Sequence, residues 1–256
     1  MQKLSRSKIE LFIQCPRCFW LDVKKGVKRP PPAPYTINNA IDFLLKQEFD
    51  VYREKGKPHP IMVRNNVDAI PFAHPNLGKW RHNFTGVSHH YEPTDMHIFG
   101  AVDDIWVSPL GEVMVVDYKA TGANQHTIYE SYQRQMEVYQ WLLRRNDLKV
   151  SSTGYFVFAR VDKGGGFTAP AVASREGGAN GEGIKGSLPF NIFVEAYQGN
   201  DSWVEEAIHG AHRTLGLLAA PTAGKECEYC VYRESAQMLP MKEKLEKKNE
   251  KGSKLL

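Results

Sequence analysis

The side chains best placed to do chemistry fall in one stretch, Gly100 to Gly122, GAVDDIWVSPLGEVMVVDYKATG. It reads as a β-hairpin: FGAVDDIWV is rich in β-branched and aromatic residues, Ser108, Pro109, Leu110 and Gly111 form the turn, and EVMVVDYKA returns as the partner strand. Asp103 and Asp104 interrupt the first strand, while Asp117 and Lys119 stand two apart on the second. Side chains alternate along a strand, so Asp117 and Lys119 share a face, and the hairpin brings Asp103 beside them. Carboxylates drawn together away from water raise the pKa of at least one of them unless a cation intervenes. A divalent ion such as Mg²⁺ relieves that conflict, with water and substrate phosphates completing its shell. A lysine beside it can position a nucleophile or offset charge developing on a phosphate. A lone D-x-K more often marks a solvent-facing edge hairpin, but Val113, Val115 and Val116 point to an interior strand.

The second reactive set is the four cysteines, Cys15 and Cys18 in CPRC and Cys227 and Cys230 in CEYC. Two CxxC pairs in a chain expected to be cytosolic suit a four-thiolate metal site better than disulfides. Both tetrahedral Zn²⁺ and a [4Fe-4S] cluster accept such spacing. A shared site would join the two ends of the chain and close a very long loop.

Several elements have to position these groups. Ser5 to Trp20 reads as a short helix with Ser5 or Ser7 as N-cap and Ile9, Phe12 and Ile13 on one face. VKKGVKRPPPAPY follows as a proline-rich loop whose Lys24, Lys25, Lys28 and Arg29 could contact phosphates. Ile37 to Arg53 is an amphipathic helix with Ile37, Ile41, Leu44, Leu45 and Phe49 at helical spacing, and Asp42 is its acidic residue best placed to face a cleft. Ile61 to Val67 has strand character, as does Trp80 to His90, whose His82, His89 and His90 read as surface residues. Thr127 to Arg145 is a helix with Gln135 and Tyr139 four apart on its apolar side, an odd place for an amide unless it binds something. STGYFVFARV and LPFNIFVEAY are strands, and Asp201 to Leu218 is a further helix. The glycine-rich stretch from Gly164 to Ser187 lacks the lysine-serine ending of a P-loop, which argues against nucleotide binding.

Composition sets the frame. The chain has 256 residues, 42% hydrophobic and 24% charged, ample for one sizeable core. No apolar run approaches the roughly 20 residues of a membrane span, and MQKLSRSKIELFIQ has no secretory apolar region, so a cytoplasmic location is expected. The net charge of +4 is compatible with a polyanionic partner.

In order, these features are a cysteine motif, an acidic helix, a hairpin with D…DxK, a helix with QxxxY, a strand, a helix and a second cysteine motif. That order resembles the PD-(D/E)XK nuclease superfamily, specifically its RecB-like branch, which includes the AddB nuclease domain and CRISPR-associated exonucleases. The resemblance spans roughly Ser5 to Arg233 and rests on GAVDDI, VVDYK, QMEVY and the flanking cysteines. It implies an α/β fold with a mixed central sheet flanked by helices. The expected division is 1–35 (cysteine motif and basic loop), 36–220 (nuclease core), 221–235 (second cysteine motif) and 236–256 (a charged, disordered tail). By resemblance, Asp103 and Asp117 are metal-binding carboxylates, Lys119 is the catalytic lysine, and Gln135 and Tyr139 lie near substrate. Asp42 stands where much of the branch has a histidine ligand; a carboxylate there still suits Mg²⁺ or Mn²⁺. Iron-sulfur members usually carry one cysteine near the start and three near the end, whereas here the split is two and two. The resemblance favours [4Fe-4S], with Zn²⁺ the alternative. It implies metal-dependent phosphodiester hydrolysis of DNA by an exonuclease of repair, recombination or defence, with a helicase or other DNA-processing protein as partner class. Two other readings stay open: a nuclease fold that binds DNA or assembles without cutting, and an iron-sulfur redox or sensing protein.

Overall fold

The computed structural model describes residues 2–32, 34–164 and 187–239. Most of the glycine-rich stretch and the charged tail from residue 240 lie outside them, so the expectations for those segments do too.

The chain opens with a strand absent from the sequence reading, β1 (Gln2–Ser5). The first helix then divides in two: α1 (Arg6–Gln14), capped by Ser5, and α2 (Pro16–Lys25), capped by Cys15 with Pro16 in its first turn. The break follows from chemistry, because proline donates no backbone N–H but suits a helix start. α3 (Thr36–Glu54) matches the amphipathic expectation in extent, yet only Leu45 and Phe49 of its apolar series are buried. Ile37 and Leu44 are more than half exposed.

The strand expected at 61–67 is instead a helix, α4 (Pro60–Arg64). His59 caps it, its ring nitrogen accepting the Ile61 N–H at 3.1 Å, and Pro60 again starts the helix. The capping overrides the β preference of Ile61 and Val63. Next come β2 (Ile70–Pro71), α5 (Leu77–Trp80), β3 (Val87–Tyr91), β4 (Met96–Gly100) and β5 (Asp104–Val107). β6 (Val113–Thr121), α6 (Glu130–Arg144), β7 (Thr153–Val161), β8 (Phe190–Gln198) and α7 (Val204–Gly216) complete the named elements. Residues 228–239 are helical after Cys227.

The hairpin closes as expected, with Asp104 opposite Val116 and Val107 opposite Val113. Its first strand, however, is two strands in different sheets: β4 belongs to a three-stranded sheet ordered β1-β4-β3, and β5 to a five-stranded sheet ordered β2-β5-β6-β7-β8. Residues 101–103 make the crossing, which frees Asp103 from the ladder. In the larger sheet β6 and β7 run parallel and the remaining pairs antiparallel, so the fold is mixed α/β.

β6 is central and buried on both faces. Val113 and Val115 join the main core with Met136 and Leu142 of α6 and Ile208 of α7. Met114, Val116 and Tyr118 face the opposite core with Phe49 of α3 and Met62 of α4. The period-2 alternation therefore directs Asp117 and Lys119 toward α6. Burying a side chain the size of Phe49 stabilises the fold by about 1.5–3 kcal/mol. Leu4, Ile9 and Phe19 lie in the main core, which ties the N-terminal segment to the body of the protein.

Candidate active site and cysteine cluster

Asp117, fully buried, is the pivot of the site. Its Oδ2 pairs with the Lys119 ammonium, and its Oδ1 accepts a hydrogen bond from Gln135 Nε2 at 2.8 Å. The same amide nitrogen lies 3.2 Å from the Tyr139 hydroxyl, and Lys119 Nζ lies 3.5 Å from Gln135 Oε1. Lys119 also stands 4.6 Å from the centre of the Tyr132 ring. Gln135 and Tyr139 face β6 because they are one helical turn apart. Close packing of α6 is possible because residue 100 is glycine: a Cβ there would sit 2.7 Å from the Tyr139 ring.

Asp103 reaches the group from the chain crossing, its Oδ2 accepting the Tyr118 backbone N–H at 3.0 Å. Asp42 approaches from α3. Lys46 lies one turn further along that helix, its Nζ 2.8 Å from Asp42 Oδ2 and 3.1 Å from Asp103 Oδ1. These groups open onto a cleft of about 450 Å³ that Arg81, Asn38 and Asn83 also line. Asp42, Asp103, Asp117, Lys119, Gln135 and Tyr139 thus stand together, while Lys46 and Arg81 were not among the sequence candidates. The available signal for Lys46 was its i,i+4 spacing from Asp42.

Burial raises the Asp117 carboxyl to about 7, against the pull of Lys119 and with a push from Asp103. Burial also raises Asp42, Asp103 adding to the shift and Lys46 opposing it. Desolvation works against the Lys119 and Lys46 charges, but the adjacent carboxylates outweigh it, and both lysines are raised.

Asp104, one residue along, faces the other way. It is fully buried and accepts from the Tyr118 hydroxyl at 2.7 Å, with Arg53 and Arg81 paired to it. Arg81 also donates to both oxygens of Asp50 at 2.9 Å. A similar division occurs on α6, where Glu137 accepts from Tyr197 at 2.7 Å and Trp203 at 2.6 Å and so anchors β8 and the start of α7.

The donor chemistry suits a hard cation: Asp42 and Asp103 line the cleft, Asp117 lies buried against its Lys119 wall, and Asp42 Oδ1 is buried with no hydrogen-bond partner among the described residues. Only the four cysteines, among the described residues, bring three or more metal-ligating atoms within 4.8 Å of one another. Lys46 stands between Asp42 and Asp103 where an ion would otherwise draw them together.

Cys15, Cys18, Cys227 and Cys230 form one buried cluster and join the N- and C-terminal segments. Cys15 Sγ accepts the backbone N–H of Gly224 at 3.2 Å and of Cys18 at 3.4 Å. Burial opposes the Cys15 thiolate, yet these contacts prevail and lower its pKa to about 6. Of the residues expected in a basic loop, Lys24 and Lys25 instead form the last turn of α2, and Lys24 and Arg29 have internal partners. Arg29 donates to Cys227 Sγ at 3.3 Å and stacks over Tyr229, and Lys24 donates to the carbonyls of Leu215 and Leu217 at 2.8 and 2.6 Å. Lys25 lies over Trp20, and Lys28 is exposed.

A family profile described as the PD-(D/E)XK nuclease superfamily matches residues 38–235. The chain belongs to that superfamily. Among solved structures, one described as "Crystal structure of SSO0001" is 13% identical, with 91% of this chain and 84% of that chain covered and a TM-score of 0.41. No curated protein matches the chain significantly. No helix among the described residues is long and apolar enough to cross a membrane.

Proposed function

We propose that the protein is a Mg²⁺- or Mn²⁺-dependent deoxyribonuclease of the RecB-like branch, acting on DNA from an end. The observation that carries this reading is the contact of buried Asp117 with Lys119 and Gln135, beside a cleft that Lys119, Asp42 and Asp103 line, in a chain of this superfamily. Asp42, Asp103 and Asp117 are the residues that would hold the ion. Bound there, it would supply a Lewis acid for the phosphate and an activated water. Lys119 orients the attack or offsets charge developing on the phosphate oxygens. Gln135 fixes the Asp117 carboxylate, and Tyr139 supports the Gln135 amide from behind. Lys25, at the end of α2, and Lys28, just after it, are proposed to track the DNA backbone, and a helicase or similar DNA-processing protein is the proposed partner class.

The test is cleavage of linear single-stranded, linear double-stranded and circular DNA with Mg²⁺, Mn²⁺ or chelator, beside Lys119→Ala. Metal-dependent loss of linear DNA by the wild type alone, with circles spared, is the expected result. The ammonium bridging Asp42 and Asp103 favours one other reading, a DNA-binding or assembly module that does not cut. Folded protein that binds DNA but cleaves nothing with either ion would establish that alternative instead.

A further inference from the structure

The cysteine sulfurs stand much closer together than a [4Fe-4S] cluster allows. Cys18 Sγ lies 3.6 Å from both Cys227 Sγ and Cys230 Sγ, and Cys15 Sγ lies 3.8 Å from Cys230 Sγ. All four sulfurs fall within 4.8 Å of one another. In a cluster of that type each thiolate binds a different iron, so four irons and four sulfides must fit between the cysteine sulfurs. A tetrahedron this tight has no room for eight atoms. Four donors each about 2.3 Å from one central ion, by contrast, stand about 3.8 Å apart when arranged tetrahedrally.

We infer that Cys15, Cys18, Cys227 and Cys230 hold a single Zn²⁺ in a closed, structural four-thiolate site. All four positions are taken by protein ligands, which leaves none for substrate. Thiolates favour zinc over ferrous iron in the general order of divalent affinities.

The surroundings are built for such a charge. Four thiolates around Zn²⁺ leave two negative charges, and Arg29 brings a guanidinium to Cys227 Sγ at 3.3 Å. Two backbone N–H groups, from Gly224 and Cys18, point at Cys15 Sγ. The Gly224 contact depends on close backbone approach, since a Cβ at that position would lie 2.2 Å from the Gln14 carbonyl oxygen. Outer contacts of this kind orient the ligands and tune the metal. The ion would tie the start of α2 to helix 228–239, closing a loop of more than 200 residues between the cysteine pairs.

The experiment is elemental and acid-labile sulfide analysis of the full chain, purified anaerobically from iron-replete cells without added zinc, together with its visible spectrum. One zinc per chain, no sulfide and no visible absorption are expected. Four irons with sulfide and a broad visible band would overturn the inference, as would one iron per chain or a folded chain without bound metal. Cys18→Ser tests the same assignment, with zinc content expected to fall to a tenth or less. If that variant does not fold, X-ray absorption of the wild type decides: sulfur-only scattering at the zinc edge supports the site, and nitrogen or oxygen ligation refutes it. None of these readouts depends on nuclease activity.

Discussion

The carboxylate cleft and the cysteine cluster are both clusters of acidic groups, yet they manage charge in opposite ways. In the cleft each carboxylate has a nearby ammonium: Lys119 at Asp117, and Lys46 shared by Asp42 and Asp103. Around the four cysteines the cationic contact among the described residues is one guanidinium, that of Arg29. The first arrangement is close to neutral before any cation arrives, so a metal there must compete with lysines. The second can carry four thiolates only if a metal is present. On the proposed assignments, a metal at the cleft would be exchangeable and suited to chemistry, and one at the cysteines would be part of the fold.

The largest effect that would break this contrast lies at the cysteines. Cys227→Ser should destabilise the protein by more than about 4 kcal/mol, the range reserved for loss of a metal or similar feature, with a fall in Tm on the order of 10 °C. Thermal unfolding checks it. A Tm within a degree or two of wild type would remove the structural role.

Next is the difference between Asp103 and its neighbour. Asp104→Asn leaves Arg53 and Arg81 with Asp50 as their carboxylate partner and should cost about 1–3 kcal/mol of stability. Asp103→Asn is partly exposed and should leave Tm nearly unchanged while weakening divalent-ion binding. Denaturant unfolding and ion titration on both variants separate the two roles; equal stability losses would merge them.

Lys119→Ala should reduce metal-dependent cleavage by about 10²–10³-fold, the usual loss when one preorganised charge-stabilising group is removed. The variant should still bind DNA, which a fluorescence anisotropy titration reads separately from cleavage.

The pH dependence follows from Asp117. Its carboxyl is raised to about 7 in the folded protein, against about 3.9 for an unfolded aspartate. The folded state therefore holds the proton more tightly between those values. The stability it contributes is present below pH 4 and lost as pH rises through 7. Without added divalent ion, Tm should fall over that window in the wild type and fall less in Asp117→Asn. With Mg²⁺ or Mn²⁺, apparent affinity should weaken as pH drops below 7, because the proton competes for the same carboxylate.

How much of this was legible in the sequence depended on the range of the interactions involved. The hairpin turn, α3, α6 and the inward alternation of β6 follow from local periodicity, and the sequence order of Asp103, Asp117, Lys119, Gln135 and Tyr139 was enough to nominate them together. β1 was too short and polar to register. The segment at 61–67 misled because Ile61 and Val63 favour strands, whereas His59 and Pro60 start a helix. The resemblance singles out Asp103 over Asp104, but the role of Asp104 needs the chain crossing at 101–103, which turns Asp103 toward the cleft and Asp104 toward Arg53. Lys24 and Arg29 looked like a basic stripe, but their partners lie about two hundred residues away, at Leu215 and Cys227.

Lys46 is the sharpest example, and it gives the smallest effect. Its partner Asp103 lies 57 residues away in sequence, so no local pattern could reveal that one ammonium bridges two proposed metal ligands. Removing it should relieve the competition for those ligands. Lys46→Met keeps the aliphatic stem but leaves Asp42 and Asp103 repelling each other, and a divalent ion would relieve that repulsion. Divalent affinity should then tighten about three- to tenfold, equivalent to roughly 1 kcal/mol, as read by calorimetry or by the metal dependence of cleavage. If Lys46 instead contacts a substrate phosphate, the variant's KM for DNA should rise while its ion affinity stays level. The two outcomes assign the bridge either to gating of the metal or to holding of the substrate.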